Sequence, residues 1–122
     1  MTRDVQKKGD IRISAKALLK KMTKGEKLTL IDVRTPEEQA LTRVPGALRI
    51  QMTDIMKNLD RIPTDGTVVV ICHSSPRAII VTTALRILGY NNVYALKGGI
   101  MALADLNAKK VPDGLKPIPE GR

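Results

Sequence analysis

Apolar residues in this chain come in short runs separated by Gly, Pro, Asn and charged clusters, and the runs switch between strand-like and helix-like spacing. Residues 11–13 predict a short edge strand. Ser14 then caps a helix that ends near Gly25, with Leu18, Leu19 and Met22 on its apolar side. Residues 28–33 predict the next strand. In Thr35-Pro36-Glu37-Glu38, a capping hydroxyl, a proline at the first helical position and two acids in the first turn predict a short helix to about Leu41. Pro45-Gly46 turns the chain before residues 47–50. Residues 53–59 predict a further short helix with Ile55, Met56 and Leu59 facing inward, and residues 63–66 reset the chain.

The second half has the clearer pattern. Residues 67–71 are mostly β-branched and predict an inner strand, and residues 77–88 predict a helix closed by Gly89 in a left-handed conformation. Ile79, Ile80, Val81, Thr82 and Thr83 are poor helix formers, so burial must override propensity there, and a helix apolar on nearly every side is expected to be enclosed. Asn91-Asn92 leads into a strand at 93–96. Gly98-Gly99 opens a last helix toward Lys109; with no Gly-x-x-x-x-Gly-Lys-Ser/Thr run beside it, it reads as a turn rather than a phosphate loop. Alternating strand and helix signals predict an α/β domain with a central, mainly parallel sheet flanked by helices. That domain should span residues 11–110, after an extension at 1–10 and before a Pro- and Gly-containing tail at 111–122.

Composition narrows the function classes. The chain has 122 residues, one cysteine, two tyrosines and no Phe or Trp, so the core must be aliphatic and base stacking is nearly excluded. A single cysteine cannot form an internal disulfide, which suits a reducing compartment. The charged N-terminus and the lack of a long apolar run predict a cytoplasmic protein with no membrane span. The net charge of +9 is concentrated in residues 1–31, which hold nine Lys and Arg against three Asp and Glu. Lys16, Lys20 and Lys24 recur at helical spacing, as on a solvated face, and the same field would steer an acidic protein partner. No nucleic-acid partner is expected.

The candidate chemistry lies at Val68-Val-Val-Ile-Cys72-His-Ser-Ser-Pro-Arg77, where a buried strand runs into a helix. Backbone N–H groups of such a loop, with the positive end of the helix behind them, stabilise an anion. Cys72 is therefore the candidate nucleophile, and His73, Ser74, Ser75, Pro76 and Arg77 the candidate binding loop, with Arg77 adding a fixed positive charge. His73, the single histidine, reads as a semi-exposed loop residue rather than a proton carrier. One Cys beside one His cannot supply a tetrahedral metal site, so no metal is expected. Asp32 and Arg34, at a strand end, read as a structural tie to nearby backbone or to Glu37 and Glu38.

Several segments in order resemble the rhodanese-like sulfurtransferases: Leu30-Ile-Asp-Val-Arg-Thr-Pro-Glu-Glu38, Val44-Pro-Gly-Ala47, Val68 to Arg77, Ala84-Leu-Arg-Ile-Leu-Gly-Tyr90 and Val93-Tyr-Ala-Leu-Lys-Gly-Gly99. The resemblance covers about residues 11 to 106. It implies a three-layer α/β fold and a catalytic cysteine, matching Cys72, that carries sulfane sulfur as a persulfide. Sulfur would pass from a small anionic donor such as thiosulfate to a thiol, cyanide or protein acceptor, with no cofactor. Four residues lie between Cys72 and Arg77, whereas cysteine phosphatases and arsenate reductases have five in that place. Members commonly have Gly at the position of Ser75, so its Cβ has to fit, and Pro76 offers no N–H. A module with a drifted loop, serving interaction or regulation, is the alternative that these two residues raise.

Overall fold

The computed structural model describes residues 9–110, with side chains of the last helix described as far as residue 104. The predicted tail at 111–122, and residues 1–8 of the predicted extension, lie outside the described residues. In chain order the elements are β1 (Arg12–Ile13), α1 (Ala15–Thr23), β2 (Leu28–Asp32), α2 (Pro36–Leu41), β3 (Leu48–Arg49), a kinked 3-10 segment (Met52–Arg61), β4 (Thr67–Ile71), α3 (Pro76–Ile87), β5 (Val93–Leu96) and α4 (Gly99–Lys110). The strands form one sheet in the order β1-β5-β4-β2-β3, and every pairing is parallel. β4 therefore lies at the centre, and its side chains are buried on both faces, as a continuous β-branched run requires.

Alternation along β4 divides the core in two. Val68 and Val70 point into one cluster with Val81 and Leu85 of α3 and Ile55 of the 3-10 segment. Val69 and Ile71 point into the other, with Leu18 of α1 and Ile100 and Leu103 of α4. Continuing the same period, Cys72 falls into the first cluster.

The predicted caps form. Ser14 Oγ accepts the Ala17 N–H at 3.0 Å, and Thr35 and Glu38 make a reciprocal capping box with Pro36 at the first position of α2. Gly89 takes φ +101° beyond the end of α3, and the Tyr90 N–H reaches back to the Leu85 carbonyl.

Three expectations need correction. The segment after β3 is a 3-10 helix kinked at Asn58, and although Ile55 is buried and Leu59 packs on the core, Met56 is 55% exposed. A threefold turn sends Met56 outward, where a regular α-helix would have brought it in. Nor is α3 enclosed: Ile80 and Ile87 are 60% and 79% exposed, because a single layer covers this face of the sheet and nothing among the described residues covers the helix's far side. On the α1 side, Lys16, Lys20 and Lys24 are exposed, as a solvated face requires, but Met22 is exposed with them in the last turn.

Candidate functional site

Asp32 of β2 is level with Ile71 of β4, so the residues just beyond them meet at the carboxyl edge of the sheet, where open α/β sheets place ligands. Cys72 is the first residue past β4. It is free and fully buried, in the same apolar cluster as Val33, Ile50 and Ala78. His73, Ser74 and Pro76 are exposed, while Ser75 and Arg77 are half-buried.

The loop's backbone is the informative feature. Among the described residues, no acceptor takes the N–H of His73, Ser74, Ser75, Arg77 or Ala78; the first amide of this stretch to be bonded is that of Ile79, to the Ser75 carbonyl. Folded chains pair nearly all backbone N–H groups that are withdrawn from water, and Ala78 is fully buried. Helix α3 also starts without a side-chain cap, in contrast to α1 and α2. Uncapped amides at the positive end of a 12-residue helix are the standard elements of an anion cradle. None of these amides donates to the Cys72 sulfur itself. The loop thus sets a buried sulfur beside free amides.

Ser75 and Pro76 are accommodated. Ser75 has φ −176°, outside the positive-φ region that favours glycine, and Pro76 occupies the first position of α3, where no N–H is needed.

Two neighbours hold this loop. From one side, α4 presents its own first amides: Ile100 N–H donates to the Cys72 carbonyl at 2.9 Å and Met101 N–H to the His73 carbonyl at 3.4 Å. In a planar trans peptide the N–H points opposite to the C=O, so these two bonds turn the amides of His73 and Ser74 away from α4. Such close approach requires Gly99, which has φ +61°; a Cβ there would lie 2.5 Å from the Cys72 oxygen and 2.6 Å from the His73 oxygen. Gly98-Gly99 is the predicted turn, but its contact with the cysteine loop carries no sequence signal.

From the other side comes Glu38. Its two oxygens take the terminal nitrogens of Arg77 at 2.6 and 2.8 Å, a fork-to-fork pair. The Arg77 hydrogen bond is the main cause holding the Glu38 carboxyl down at about 2, with the Thr35 N–H and hydroxyl adding to it. Arg77 is raised in turn by Glu38 and, more weakly, by the nearby Cys72 and Asp32. The sequence marks Glu38 as an acid of the first turn of α2; its pairing with a residue 39 positions away carries no sequence signal.

Behind Glu38 lies a fully buried pair. The guanidinium of Arg34 binds Asp32 through Nε (3.0 Å) and a terminal nitrogen (2.9 Å), and also donates to the Glu38 and Thr42 carbonyls at the far end of α2. Asp32 and Arg34 therefore form the predicted structural tie, to backbone and to each other rather than to the Glu37 or Glu38 carboxylates. Among the described residues, no three His, Cys, Asp or Glu side chains gather as metal ligands, and no helix is long and apolar enough to cross a membrane.

The family model described as "Rhodanese-like domain" matches residues 14–106. The chain belongs to the rhodanese-like family. It is 36% identical over 92 residues to a sulfurtransferase of Allochromatium vinosum, an alignment spanning 75% of this chain and 86% of that protein. The YtwF protein of Bacillus subtilis is 39% identical over 90 residues, with 74% and 86% covered. Among solved structures, a rhodanese-like domain protein from Staphylococcus aureus superposes with a TM-score of 0.69 at 27% identity, over 75% of this chain and 88% of its own. The five-stranded parallel sheet and flanking helices are thus a rhodanese fold, as the sequence resemblance implies.

Proposed function

We propose that this protein is a sulfurtransferase that moves sulfane sulfur through a persulfide on Cys72. The observation that carries the reading is the run of unbonded amides from His73 to Ala78 around the start of α3, beside the one cysteine of a rhodanese-like chain. Its similarity to a sulfurtransferase along most of both chains supports the same reaction class.

In the first half-reaction the Cys72 thiolate attacks the outer sulfur of a donor such as thiosulfate. The S–S bond of the donor breaks, sulfite leaves with its electron pair, and Cys72 retains a terminal sulfur bearing one negative charge. That sulfur projects one bond beyond Sγ, so the free amides are suited to the outer atom rather than to the buried inner one. His73, Ser74, Ser75 and Arg77 bind the anion through their N–H groups, Pro76 sets the helix start, and the Arg77 side chain is the cation nearest the incoming donor. In the second half-reaction a thiol, cyanide or a protein acceptor attacks the outer sulfur and restores the Cys72 thiolate. The basic α1 face favours an acidic protein for that role.

The test is an intact mass after incubation with thiosulfate. One added sulfur is expected, removed by dithiothreitol and never acquired by Cys72→Ser; a folded protein that gains none overturns the proposal. That negative result would instead favour an interaction or regulatory module, the reading that the complete burial of the Cys72 sulfur raises. Cys72-dependent hydrolysis of p-nitrophenyl phosphate would point to phosphatase chemistry.

A further inference from the structure

Arg77 is the cation placed to meet a donor, yet both of its terminal nitrogens are engaged by one carboxylate. That carboxylate is itself held from behind: Glu38 Oε1 accepts the Thr35 N–H at 2.9 Å and the Thr35 hydroxyl at 3.1 Å, and the Thr35 hydroxyl oxygen accepts the Glu38 N–H. Swinging Glu38 away from Arg77 therefore also loosens the capping box that starts α2. Both partners are about a third exposed, so an anion in solution can reach the pair.

Donor charge decides what happens next. Thiosulfate carries two negative charges to a place that already holds the Glu38 carboxylate and the thiolate of Cys72, with one guanidinium among them. It must displace Glu38 or share Arg77 with it, and either course weakens its hold. A thiol-borne persulfide carries at most one charge on its sulfurs and is served by the loop amides alone. Its transfer balances: the Cys72 thiolate attacks the outer sulfur, the donor's S–S bond breaks, and the donor thiol leaves as a thiolate.

We propose that Glu38 is a specificity-determining residue, which withholds Arg77 from small dianionic donors and so biases the site toward persulfides of low charge. The inference rests on the sulfurtransferase reading and refines its donor class.

Glu38→Gln is the test, because a Gln at this position can still complete the capping box while losing the charge. Steady-state rates are measured with thiosulfate and with the persulfide of 2-mercaptoethanol, which has no charge beyond its sulfurs. The variant is expected to lower the KM for thiosulfate by roughly threefold to tenfold, in keeping with a charged pair that solvent partly reaches. Its kcat should stay within about twofold and the persulfide kinetics should not move. A purely structural role for Glu38 would instead move the kinetics of both donors. Glu38→Ala must shift the KM in the same direction if Glu38→Gln does not fold. A thiosulfate KM that is unchanged or raised by these variants overturns the inference while leaving sulfur transfer intact. A Cys72 that acquires sulfur from neither donor overturns both.

Discussion

On its α4 side the cysteine loop is held backbone to backbone, whereas on its α2 side it is held only through side chains. The α4 contacts are two hydrogen bonds between peptide groups, drawn close by the missing side chain of Gly99. Peptide groups have no rotamers to exchange, so this side fixes where the amides of His73 and Ser74 point. The α2 side is a relay: Asp32 holds Arg34, Arg34 holds the carbonyls of α2, and α2 presents Glu38 to Arg77. Side-chain pairs can be traded for a ligand. The contrast assigns aim to the α4 side and selectivity to the α2 side.

Breaking the relay at its buried end should have the largest effect. Arg34→Met strips Asp32 of a guanidinium in a site where both are almost wholly buried, and frees the Glu38 and Thr42 carbonyls together. An uncompensated buried carboxylate costs about 3–5 kcal/mol, a fall in Tm on the order of 10–20 °C for a domain of this size. Calorimetry or thermal circular dichroism measures it. A loss below about 1 kcal/mol would mean that Asp32 and Arg34 do not anchor this side.

Next in size is a matched pair on the opposite side. Gly98 and Gly99 both have positive φ, so alanine at either carries about 1–2 kcal/mol of left-handed strain. Their added methyl groups meet different things: at Gly98 only Ala102 of α4, at Gly99 the Cys72 and His73 carbonyls. Gly99→Ala should therefore slow persulfide formation on Cys72 by about a hundredfold, the scale of an ångström-level misplacement, while Gly98→Ala stays within about threefold. Equal rates in the two variants would reduce the α4 contact to fold stability alone.

The same two sides differ in how far the sequence discloses them. The strands, the helix caps and the placement of Cys72 follow from short-range signals: β-branched alternation through Val68 to Ile71, Ser14 and Thr35 as capping hydroxyls, Pro36 and Pro76 at helix starts. Asp32 and Arg34 are close enough in sequence for a local tie to be inferred. Glu38 with Arg77, and Gly99 with the Cys72 carbonyl, are contacts between distant segments that only the sheet order brings together. Their residue types are equally suited to local roles, capping for Glu38 and a turn for Gly99, and each fills that local role as well. Met56 and Ile80 illustrate the converse limit, since apolar type does not disclose which layer is missing above them.

The smallest expected effect separates the two sides by charge. Glu38 is held at about 2 against 4.5 for an unperturbed glutamate, chiefly by its bond to Arg77. Between those values the unfolded chain binds the proton that the folded chain refuses, so stability from this carboxylate is complete above about pH 4.5 and is lost as the pH falls through about 2. Solvent reaches a third of the side chain, which limits the contribution to about 1 kcal/mol or less. Urea unfolding of the wild type and Glu38→Gln from pH 2.5 to 6 should show a stability difference that closes toward acid. Other carboxylates titrate in both proteins and cancel from the difference. The two α4 hydrogen bonds join peptide groups, which do not titrate here, so the difference between Gly98→Ala and Gly99→Ala should stay flat over the same window. A flat Glu38 difference would mean that neutral hydrogen bonding, rather than charge, ties α2 to Arg77, and the α2 side would then lose its claim to discriminate donors by charge.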